Sequence, residues 1–98
     1  MDEVKLELND KGQGSFHIVE GKEQLAEMAV GIEAGTLTVY HTEVAPRAQG
    51  MGYAKRLLGA MVEHARANQL RVVPLCPYVY SQFKRHPEEY ADLWKGGQ

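Results

Sequence analysis

The sequence predicts a mixed α/β (α+β) domain: an antiparallel four-stranded meander, then a helix, a parallel strand and C-terminal helices. Three observations point there. Apolar residues alternate with polar ones from Val4 to Val44, between glycine-bearing turns. Helical periodicity then runs from Tyr53 to Ala67. A short apolar run, Leu70-Arg71-Val72-Val73-Pro74, follows that helix at once.

Each element has its own warrant. Val4, Leu6 and Leu8 alternate with Lys5 and Glu7, the pattern of a half-buried strand. Asn9 to Gly14 reads as a turn. Phe16 and Ile18 alternate with Ser15 and His17 in a second strand, which Glu20-Gly21-Lys22 closes. Ala26, Met28, Val30 and Ile32 form a third. Its Ala, Glu and Met residues also suit a helix, but Gly31 and the short links favour the meander. Glu33-Ala34-Gly35 turns into a fourth strand, with Leu37 and Val39 on one face. His41 falls on that same face and reads as a hydrogen-bonded core histidine.

In the helix, Ala54, Leu57, Leu58, Met61, Val62 and Ala65 recur at i, i+3 and i+4, with Lys55, Arg56, Glu63 and Arg66 on the wet side. A strand, a helical crossover and another strand make a right-handed parallel unit, so the last two strands run parallel. A second helix starts near Pro77. Pro87 opens a short third one, because proline suits the first helical position. His17 and His64 read as surface residues.

Size and charge bound the function. With 98 residues, residues 1–94 read as one domain with a frayed tail at 95–98, and stability is modest without a ligand or partner. A net charge of −2 gives no general pull toward nucleic acid or anionic membrane, so phosphate binding would need a local site. No apolar run reaches membrane-spanning length, and the N-terminus lacks the regions of a signal peptide. A single cysteine, Cys76, suits a reducing cytoplasm. No His, Cys or acidic pair has zinc-site spacing, so no metal is expected. Oligomeric state reads as monomer or weak homodimer, since strand edges can pair.

The stretch Arg47-Ala48-Gln49-Gly50-Met51-Gly52 carries the chemistry. A strand that turns through glycines into a helix aims several backbone N–H groups at one point, and the helix dipole adds positive potential there. That is a cradle for phosphate oxygens. The Walker A signature is excluded, because Tyr53 and Ala54 follow Gly52 where Lys and Ser/Thr would stand. The dinucleotide fingerprint is excluded because Lys55 occupies its third glycine position.

What remains is Arg/Gln-x-x-Gly-x-Gly/Ala, met at Arg47, Gly50 and Gly52. It resembles the pyrophosphate loop of the GNAT superfamily, the acyl-CoA-dependent N-acetyltransferases. His41-Thr42-Glu43-Val44 and Val72-Val73-Pro74-Leu75-Cys76-Pro77-Tyr78 resemble segments of a small, truncated GNAT-like subfamily. The resemblance covers Phe16 to His86. It lacks the first strand, the paired helices and the terminal strands that build much of the acceptor pocket in full-length members.

The resemblance implies acetyl-CoA as co-substrate. Pantetheine would pair with backbone at Thr42, Glu43 and Val44. The pyrophosphate would rest on N–H groups of Gln49, Gly50, Met51, Gly52, Tyr53 and Ala54, with Arg47 or Gln49 also donating. Lys84 and Arg85 could meet the ribose phosphate. The acceptor would be an unknown amine or a protein lysine.

Acetyl transfer needs a base for the amine, a donor for the oxyanion and an acid for the leaving thiolate. Phe83 stands where the resemblance places the family's tyrosine acid, and it has no proton to give. Tyr80, one turn earlier, is an alternative acid. Glu43 could act as base. Cys76, just before Pro77, should sit at a helix N-cap facing the gap between the parallel strands. A thiol there meets the positive end of the dipole, which favours the thiolate, and it could contact the thioester or accept the acyl group. Two other readings stand beside the enzyme: a non-catalytic acetyl-CoA binding or sensing module, and an interaction domain without ligand.

Overall fold

The computed structural model describes residues 3–94; the tail at 95–98 lies outside the described residues. Five strands form one sheet in the order β1-β2-β3-β4-β5. They are β1 (Val4–Leu8), β2 (Gln13–Glu20), β3 (Glu23–Glu33), β4 (Thr36–Val44) and β5 (Arg71–Pro74). The first four pair antiparallel, and β5 joins β4 parallel. Helix α1 (Tyr53–Ala67) makes that crossover, and α2 (Pro77–Arg85) follows β5.

One face of the sheet carries the core. Phe16, Ile18, Ala26, Met28, Val30, Leu37 and Val39 are buried there, against Leu57, Leu58, Met61, Val62 and Ala65 of α1. This is the 3.6-residue stripe meeting the two-residue alternation of the strands. Val79 and Phe83 of α2 extend the core, and Phe83 stacks on Tyr90 with ring centroids 4.5 Å apart.

Three expectations need correction. No third helix opens at Pro87. Hydrogen-bonded turns replace it, with Glu89 and Tyr90 donating to the His86 carbonyl and Leu93 and Trp94 to that of Tyr90. These turns return Tyr90, Leu93 and Trp94 to the core, and Arg66 fastens them through the Asp92 carboxylate at 2.9 Å and the Glu89 carbonyl at 2.7 Å.

His17 is buried, not a surface residue. It lies between Lys5 and Glu27 in the cross-strand row, with Ser15 Oγ 3.4 Å from its Nδ1. His64 is half-buried, edge-on to Phe16.

His41 is not a core residue. Ala29 pairs with His41 but Val30 pairs with Val39, so Tyr40 is the extra residue of a β-bulge. The bulge reverses the alternation beyond it. His41 turns out to solvent and Thr42 turns inward.

Candidate functional site

The bulge sits where β4 loses one neighbour. Pairing with β5 runs from Thr36–Arg71 to Val39–Pro74 and ends there. The Cys76 N–H takes the Val39 carbonyl at 2.9 Å, and the chain then departs into α2. From Tyr40 to Val44, β4 pairs only with β3 among the described residues. Its other edge presents unpaired backbone groups beside the N-terminus of α2. Such groups seek hydrogen bonds from water or from an added strand-like partner.

Thr42 and Cys76 face each other across this gap, with Thr42 Oγ1 3.2 Å from Cys76 Sγ. Cys76 is the N-cap residue of α2, as its place before Pro77 predicts, but Sγ does not cap the helix. It is buried and turned to Thr42. Glu43 and His41 lie on the opposite face of the strand, both exposed, with Glu43 Oε2 3.2 Å from His41 Nε2. Tyr80 is exposed, its ring edge-on to Trp94 and under Lys84 Nζ, so it is not brought to Thr42 and Cys76.

Tyr78 stands two residues beyond Cys76. It is half-buried, and its hydroxyl is pushed above the usual tyrosine range by burial first and by the neighbouring Cys76 second.

Past Val44 the chain makes a single 3₁₀ turn, Pro46–Ala48, and then the glycine loop. Gly50 has φ +81° and Gly52 φ +80°, the left-handed region that glycine enters without steric cost. Gly52 is the N-cap of α1 and offers no capping side chain, and the first turn holds no acidic residue. The first backbone bond at this end runs from the Arg56 N–H to the Gly52 carbonyl at 3.1 Å. The N–H groups of Gly50, Met51, Gly52, Tyr53, Ala54 and Lys55 therefore find no backbone acceptor among the described residues. The Gln49 N–H differs from expectation: it goes to the Pro46 carbonyl at 3.4 Å. The free set thus starts one residue later than the sequence suggests and reaches Lys55.

Arg47 also departs from expectation. Its guanidinium is held by Glu23 and Glu20, each at 2.8 Å, and so is committed to the β2–β3 hairpin. Its hydrogen bond to Arg47 keeps the Glu23 carboxyl below its usual range. No group of three or more metal-ligating side chains occurs among the described residues. No helix among them is long and apolar enough to cross a membrane.

Residues 15–93 match the family described as GCN5-related N-acetyl-transferase. The chain belongs to this family. Its fold is similar to the solution structure of a GCN5-like candidate N-acetyltransferase from Staphylococcus aureus. The TM-score is 0.72 at 26% identity, over 100% of this chain and 94% of the other. No curated protein matches the sequence.

Proposed function

We propose that this chain binds acetyl-CoA across the open edge of β4 and passes the acetyl group to an amine. One observation carries the reading: six consecutive N–H groups, Gly50 to Lys55, lack a backbone acceptor at an uncapped helix start. Orphan N–H groups at a helix start are met by a cap, by water or by an anion. The absence of both cap and first-turn acid favours the anion. The adjoining free edge, Thr42 to Val44, suits an amide-bearing arm that hydrogen-bonds as a strand would. Pyrophosphate at the loop and pantetheine along β4 would bring the thioester toward Thr42 and Cys76.

Chemistry could then proceed from either face of β4. On the inner face, the Cys76 sulfur attacks the acetyl carbonyl carbon. The bond to the coenzyme sulfur breaks, free CoA leaves with a proton, and Cys76 carries the acetyl as a thioester. An amine then displaces Cys76, giving the amide and restoring the thiol. On the outer face, Glu43 could instead take the proton of an amine attacking directly.

A second reading, binding or sensing without transfer, is favoured by Phe83. It is fully buried where the family resemblance places a proton donor.

Titration calorimetry with acetyl-CoA tests binding. Release of free CoA thiol with a panel of amines, a lysine peptide included, tests transfer. Binding without release would select the second reading.

A further inference from the structure

We infer that Arg47, the first residue of the glycine-loop motif, serves as a positioning residue: it anchors the loop to the β2–β3 hairpin rather than touching phosphate. The inference rests on the acetyl-CoA reading and assigns to this residue a role within it.

The hairpin supplies the reason. Glu20 and Glu23 are direct cross-strand partners at its closing end. Like charges placed opposite one another repel. The Arg47 guanidinium bridges them, using Nη2 toward Glu20 and Nε toward Glu23, each at 2.8 Å. This fork meets two carboxylates at once, which a lysine ammonium would match poorly. Just upstream, the Ala45 N–H donates to the Leu25 carbonyl at 2.8 Å, so main chain and side chain tie the loop entrance to the same hairpin. The loop beyond is left with two left-handed glycines and a row of free N–H groups. A loop of that kind gains from an anchored entrance, because the anchor reduces the conformational freedom lost when an anion binds.

The two roles give opposite signs in one experiment. Acetyl-CoA affinity is measured by calorimetry on the full chain, at 150 mM salt to screen long-range charge over about 8 Å. If Arg47 is an anchor, Glu20→Gln/Glu23→Gln weakens binding about three- to fivefold, and Arg47→Gln weakens it similarly. Combining all three substitutions adds little, because they break one network. If Arg47 is a phosphate ligand restrained by the carboxylates, the double glutamine variant frees it and binds more tightly. That result would overturn the inference.

A charge swap keeps the test secure if the glutamine variant folds poorly. Arg47→Glu alone should lose affinity, and adding Glu23→Arg should restore it to within about threefold of the parent, since a guanidinium on the hairpin can then bridge Glu20 and the new carboxylate of the loop. A swap that folds, judged by its melting temperature, yet stays weak also overturns the inference. A parent chain that does not bind acetyl-CoA at all would overturn the acetyl-CoA reading and this inference together, an outcome distinct from either of the others.

Discussion

Replacing Gly50 by valine tests the phosphate cradle at one backbone point. A Cβ built on Gly50 meets nothing within 4 Å, so the cost comes from its φ of +81° and not from crowding. Holding a non-glycine residue in the left-handed region costs roughly 1–2 kcal/mol, and a β-branched side chain lies at the upper end. In a domain of this size each kcal/mol lowers Tm by about 4–8 °C. If the backbone relaxes to negative φ instead, the Met51 and Gly52 N–H groups turn away from their common point. Losing two charge-assisted bonds of about 1.5–3 kcal/mol each would weaken Kd more than a hundredfold.

Gly35 is the matched control. It has φ +80°, an equally open Cβ position and a place in the β3–β4 turn. Gly35→Val should show a similar thermal loss and unchanged affinity. Calorimetry with acetyl-CoA and thermal melts on both variants decide the matter. Equal affinities in the two, or a Gly50→Val affinity within about threefold of the parent, would refute the cradle.

Three further outcomes are expected. Intact-mass spectrometry after incubation with acetyl-CoA should find an acetyl adduct on the parent chain and none on Cys76→Ser; an adduct surviving in the variant excludes that sulfur as acceptor. Gly59 is exposed inside α1 with open space around it, so Gly59→Ala should raise stability by about 0.5–1 kcal/mol in a thermal melt and leave acetyl-CoA affinity unchanged. Hydrogen bonding to Arg66 holds the Asp92 carboxyl below its usual range. The pair therefore contributes fully above about pH 4, and its contribution is lost as pH falls through the lowered value. In Asp92→Asn, Tm should fall less steeply with acid than in the parent.

The fold was legible because its signals are local. Alternation at Val4, Leu6 and Leu8 and at Phe16 and Ile18 marked strands, and helical periodicity from Tyr53 to Ala67 marked α1 with the ends it has. The glycine loop and the N-cap place of Cys76 were legible for the same reason. What escaped depends on neighbours distant in sequence. Nothing near Tyr40 announces that β3 will pair around it, so His41 was placed on the wrong face. His17 is buried by strands on both sides. Arg47 meets carboxylates 24 and 27 residues away, which no spacing rule connects. Pro87 was read as the start of a third helix, but turns stand there instead, tied to Arg66 through the Glu89 carbonyl.

The supernumerary residue in β4 sets, by count along the chain, which side each of its successors takes. Exchanging Tyr40 for another side chain leaves the parity of its successors intact. Deleting it would let Val39 and His41 follow one another as Val30 and Ala29 do opposite them, so the residues from His41 to Val44 would keep the sides they now have. A strand shortened in this way should still bring the threonine hydroxyl to the sulfur it now touches.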